Sequence, residues 1–115
     1  MAWIMGASHS SFQKIAVVGS GAVGSFYGAL LANSGRETPF HMRHDLAHEK
    51  EHGLEVRSQA YSFILPKPHV HASTDTIGPC DLVIIALKAT DNRVLPDLIP
   101  PLLNHKTAIL TLQNG

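Results

Sequence analysis

Cysteine is nearly missing from this 115-residue chain, and so is any excess of one charge. The single thiol, Cys80, excludes an internal disulfide and makes a reducing cytoplasm the simplest compartment. Lys plus Arg number 9 and Asp plus Glu number 9, so no global field draws the chain to nucleic acid or an acidic membrane. Partners must therefore be recognised locally. No apolar run approaches the roughly 20 residues of a membrane span, and the opening segment has too short an apolar stretch for a signal peptide. The apolar content of 44% and charged content of 16% describe one ordinary globular domain. Residues 1–13, rich in Ser, His and Gly, read as an N-terminal extension, which leaves 14–115 as the domain.

What is present is a specific order of elements. Lys14-Ile15-Ala16-Val17-Val18 is a short apolar run that leads directly into Gly19-Ser20-Gly21-Ala22-Val23-Gly24. The spacing of Val23, Phe26, Tyr27, Leu30 and Leu31 predicts a helix over 22–33, stopped at Ser34-Gly35. A second strand is expected over 38–42, a short polar helix over 45–52, and a small strand pair over 54–57 and 61–65. Asp81-Leu82-Val83-Ile84-Ile85-Ala86-Leu87 is continuously apolar after its first residue, as a central parallel strand buried on both faces requires. Asp91 is placed to cap the next helix, and Pro96, Pro100 and Pro101 break the stretch 92–103 into short helical pieces before a last strand over 107–112. Alternating strands and helices point to an α/β fold, a doubly wound parallel sheet of Rossmann type.

The glycines carry the first functional signal. In a GxGxxG turn between strand and helix, Gly19 permits the tight exit, Gly21 lets backbone approach a diphosphate, and Gly24 lets the helix pack closely. The helix N-terminus then aims its amides at the anion. Arg43 ends the second strand near the roughly 20-residue offset of the residue that reads the adenosine ribose. A carboxylate there favours a free 2′-hydroxyl, whereas a guanidinium favours a 2′-phosphate, so the pattern points to NADP(H) over NAD(H). Lys88 and Asn114 follow two further strands, at the sheet edge where open α/β folds bind ligands. Lys88 can offer a point charge to the coenzyme, or simply end its strand in solvent. Asn114 can donate and accept at the nicotinamide ribose or the substrate, or be an ordinary turn residue.

Other features invite chemistry with less support. His44, His48 and His52 recur every four residues and would share one helix face, but without cysteine or a placed carboxylate a solvated face is the simpler reading, and no metal is expected. His69 and His71 read as surface residues on an extended segment. Packing explains Cys80 better than nucleophilic chemistry, and capping explains Asp91 and Asp97 better than acid-base work.

Taken together, the run over 14–24, Arg43, Ala86-Leu87-Lys88-Ala89 and Leu112-Gln113-Asn114-Gly115 resemble the N-terminal half of the ketopantoate reductase family, the 2-dehydropantoate 2-reductases. The resemblance implies NADPH-dependent reduction of 2-dehydropantoate to pantoate, a step toward pantothenate. It implies that Gly19, Ser20, Gly21, Ala22, Val23 and Gly24 hold the diphosphate, Arg43 meets the 2′-phosphate, Lys88 contacts the coenzyme, and Asn114 lies between coenzyme and substrate. In that family a helical C-terminal domain carries the proton-donating lysine, and it would begin shortly after Gly115, so no catalytic residue is assigned to this chain. The expectation is then a chain that binds NADP(H) weakly or needs another chain, does not turn over alone, and self-associates through apolar surface. Two alternatives stand beside this one: a reductase of another 2-oxo acid, and a truncated nucleotide-binding module without catalysis.

Overall fold

The computed structural model describes residues 12–19, 22–42, 53–57 and 62–112. Along the chain run β1 (Ile15–Val18), α1 (Ala22–Asn33), β2 (Pro39–His41), β3 (Leu54–Arg57), β4 (Ser62–Leu65), β5 (His69–His71), β6 (Leu82–Ile85) and β7 (Ala108–Thr111). Five of the strands form one sheet in the order β5-β2-β1-β6-β7, and every pairing in it is parallel. The chain winds outward from β1 through β2 to β5, then crosses back to place β6 on the other side of β1. This is the Rossmann-type α/β architecture, and the strand order reverses between β1 and β6, where such sheets open a ligand crevice.

Alternation along the central strands divides the core into two layers. Ile15, Val17, Leu82 and Ile84 face one side with Ala29, Phe40 and Val70, while Ala16, Val18, Val83 and Ile85 face the other with Ile77, Cys80 and Leu102. Burial on both faces is why β1 and β6 are written as unbroken apolar runs. The first layer is roofed by α1 and by the separate antiparallel hairpin of β3 and β4, whose Leu54 and Leu65 pack onto it. The second is covered by 3-10 turns at Thr74–Thr76, Ala89–Val94 and Pro100–Leu102 and by the one-turn helix α2 (Leu95–Leu98). The prolines divide this stretch as expected. Asp91 does not cap it: Lys88 takes the N-cap position and Asp91 falls inside the tight first turn.

Two places differ in emphasis from the pattern reading. The segment holding His69 and His71 is the edge strand of the sheet, because Val70 between them is buried and pairs with Phe40. Three residues with one apolar position are too few to display a strand period. At the sheet's lower edge, Asp81 Oδ2 accepts the amides of Gln13 and Lys14 at 2.9 Å each, and Phe12 already packs on the first layer. On β7, Ala108 and Leu110 pack inward while Ile109 on the opposite face is half exposed. Among the described residues no helix is long and apolar enough to cross a membrane.

Candidate functional site

The site begins where β1 ends. Gly19 has φ +103°, a conformation closed to ordinary side chains. A Cβ built there would lie 2.8 Å from the Leu87 nitrogen and 2.9 Å from the Ala86 carbonyl carbon. The exits of β1 and β6 are therefore in direct contact across the switch point. The Gly19 amide donates to the His41 carbonyl at 3.1 Å, which holds the turn against the end of β2 as well.

From there α1 runs for 12 residues with no acidic side chain in its first turn. The positive end of its dipole thus faces the strand exit without a carboxylate to oppose an anion. Gly24 brings the helix down onto β6: a Cβ at that position would stand 2.1 Å from the Ala86 Cβ. A left-handed exit without a side chain and a helix N-terminus with no acid in its first turn fit the diphosphate of a dinucleotide. Ser20 and Gly21 lie outside the described residues, as do the side chains of Ala22 and Val23.

Lys88 is exposed and stands three residues beyond β6, on the same sheet edge as Gly19. Its carbonyl accepts the Asp91 amide at 2.8 Å, at the N-cap position of the tight turn that follows. Because β2 and β7 run parallel to β1, they end at this edge too. Arg43 follows β2 and Asn114 follows β7, and both lie outside the described residues, as do His44, His48 and His52. Among the described residues no group of three or more His, Cys, Asp or Glu is placed to hold a metal. A cavity of about 140 Å³ lined by Arg36, Thr38, Leu65 and Lys67 sits where β2 and β5 begin, at the opposite end of those strands from the glycine turn.

Cys80 belongs to the core. It is 1% exposed, its thiol donates to the Gly78 carbonyl at 3.3 Å, and burial pushes its pKa up to about 11. At neutral pH it is a thiol with no route to an electrophile. Iodoacetamide at pH 7.5 is expected to leave the folded chain unmodified and to alkylate it stoichiometrically in urea. Rapid modification without denaturant, read by intact mass, would contradict this burial.

His41 was absent from the pattern reading. One polar residue in a three-residue strand carries no period, and only the fold shows that it is buried beside the glycine turn.

The family profile described as ketopantoate reductase PanE/ApbA matches residues 15–115. The chain belongs to the ketopantoate reductase family. A 2-dehydropantoate 2-reductase of Nostoc sp. is 37% identical over 103 residues, covering 90% of this chain and 32% of the relative. The crystal structure of 2-dehydropantoate 2-reductase from Geobacter metallireducens GS-15 matches with TM-score 0.83 and 44% identity, over 89% of this chain and 34% of that one. A ternary structure of D-mandelate dehydrogenase with NADH and anilino(oxo)acetate matches with TM-score 0.74 and 29% identity, over 89% and 34% respectively. This ketopantoate reductase family chain spans about a third of the length of these relatives.

Proposed function

We propose that the chain is the NADP(H)-binding part of a 2-dehydropantoate 2-reductase, acting in the cytoplasm in pantothenate formation. The observation that carries the reading is the side-chain-free exit of β1, pressed against β6 at Gly19 and followed by a helix with no acid in its first turn, in a chain of this family. When bound, the coenzyme supplies the hydride for ketone reduction. The chain's own part is to bind and orient it. Amides at the start of α1 take the diphosphate beside the side-chain-free Gly19, and Arg43 takes the 2′-phosphate as a charge-assisted, bidentate partner. Lys88 adds positive charge at the same edge, and Asn114 is assigned hydrogen bonds to the nicotinamide ribose and the 2-oxo acid.

Titration of NADPH and NADH into the wild type and Arg43→Ala tests the phosphate assignment. NADPH should bind more tightly to the wild type, and the variant should lose about 10- to 100-fold in NADPH affinity, the worth of about one charge-assisted bond, while NADH changes by less than about twofold. Equal wild-type affinity for the two coenzymes would remove the assignment. A second reading, an NADH-dependent reductase of another 2-oxo acid, is favoured by the D-mandelate dehydrogenase match, whose structure holds NADH and an oxo acid. Tighter binding of NADH than NADPH would select it.

A further inference from the structure

At the end of the sheet away from the glycine turn, three separate segments bring basic side chains to the wall of one cavity. Arg36 comes from the turn between α1 and β2, Lys67 from the loop between β4 and β5, and His69 is the first residue of β5. Buried Thr38 and partly buried Leu65 line it as well. The register explains the meeting: β5 lies beside β2 with His69 paired to Pro39, so the chain entering either strand passes the same point. The cavity holds about 140 Å³. That is room for a few waters or one small ion, well below the roughly 300–1,000 Å³ of a site for a drug-sized molecule.

Arg36 is half-buried, and its guanidinium is held by a fixed chain of bonds. Ser34 Oγ donates its proton to the Leu31 carbonyl at 2.6 Å, so towards Arg36 Nη1 at 3.0 Å it can only accept. That takes one of the five guanidinium N–H groups. The charge itself is not met: among the described residues neither Arg36 nor Lys67 forms an ion pair, and the one carboxylate on the wall, that of Glu37, lies 3.6 Å from the Lys14 ammonium. The carbonyl end of α1 favours a cation at 36. It does not account for Lys67 and His69, which reach the same wall from two other segments, the imidazole with an N–H donor in either protonation state.

We propose that this cavity binds a small tetrahedral oxyanion, a phosphoryl group, at a site separate from the coenzyme's. Arg36 supplies a planar fork, Lys67 a point charge and His69 an N–H, so donors approach from three segments. Four oxygens disposed tetrahedrally can meet them together, whereas the two oxygens of a carboxylate lie in one plane with its carbon. A dinucleotide is too large for the volume, and its own cradle lies at the far end of the same strands. The assignment is therefore independent of which coenzyme binds. The anion ties the turn after α1 to the start of β5, a three-residue strand with a single neighbour in the sheet.

The experiment titrates inorganic phosphate into the full chain at pH 7.5 and constant ionic strength, following backbone amide shifts by NMR. Saturable shifts are expected at Arg36, Thr38, Lys67 and His69, with a Kd of about 1 mM. Arg36→Ala and Lys67→Ala should each weaken binding at least about fivefold, and Glu37→Gln, which removes the carboxylate from the wall, should tighten it about twofold. Lys67 is exposed, so Lys67→Ala decides by the same criterion if Arg36→Ala does not fold. Acetate should bind at least about tenfold more weakly than phosphate. Glycerol 3-phosphate separates the sources: shifts like those of phosphate support the head group of an ester as occupant, and shifts from inorganic phosphate alone support the free ion. Shifts that never saturate, shifts confined to the glycine turn, wild-type affinity in both Ala variants, or acetate binding as tightly as phosphate would each overturn the proposal.

Discussion

Gly24→Ala is expected to destabilise the domain by about 3 kcal/mol, the upper range for adding a methyl to a packed interior. The added Cβ would stand 2.1 Å from the Ala86 Cβ, whereas carbon atoms rest at about 3.5–4.0 Å. The remaining neighbours, the Ala86 Cα at 3.6 Å and Val17 Cγ1 at 3.7 Å, are at ordinary contact. The conflict is thus one methyl against one methyl. Neither end of it can rotate away, so α1 has to withdraw from β6 and lose its packing on the first layer. Removing the opposing methyl should relieve the strain: Gly24→Ala with Ala86→Gly is expected to recover most of the loss in urea unfolding. The folded single variant should also bind NADPH less tightly, because the amides at the start of α1 move with the helix. Wild-type stability in Gly24→Ala would mean that the helix does not sit where its contacts place it.

Phe40→Ala carries the second large effect, a loss of about 3–5 kcal/mol. Phe40 is fully buried at the middle of β2, paired with Val17 of β1 on one side and Val70 of β5 on the other. Its ring reaches under α1 at Gly28, where a Cβ would meet the ring at 2.7 Å. Strands on both sides and the helix above keep the space from collapsing, so both the transfer and the cavity contributions are lost. Against a total stability of about 5–15 kcal/mol for a domain, such a change removes a large share. Phe40→Leu, which keeps most of the volume, should cost far less, and equilibrium urea unfolding of the two variants separates these cases. Equal midpoints for Phe40→Ala and wild type would place Phe40 outside the core.

How much of this could be read from the residues depended on how many of them shared one signal. The run around Val83 and Ile84 is long enough that burial on both faces is its only consistent reading, and it is the central strand β6. The glycines announce a close helix-strand approach through their order alone, yet nothing in that order names Ala86, some 60 residues away, as the partner of Gly24. β5 escaped as part of the sheet because a strand of three residues between two histidines has no amphipathic period. His41 escaped for the same reason, since its importance lies in what the fold places beside it: the Gly19 amide and the Ala72 carbonyl. Asp91 was misassigned because a capping residue was sought for a regular helix, and a tight 3-10 turn begins at Lys88 instead. The expectations for Arg43 and Asn114 rest on their places after β2 and β7, which parallel strands carry to the ligand edge.

The clasp of Asp81 on the amides of Gln13 and Lys14 joins points 67 or 68 residues apart, and β1 meets β6 over the same span. The strand at the middle of the sheet thus precedes in the chain, by some 60 residues, the strand that covers its second flank. Its pairing with β6 is a contact of long sequence separation, so closing the sheet's centre carries the loop-closure cost that slows the folding of such topologies.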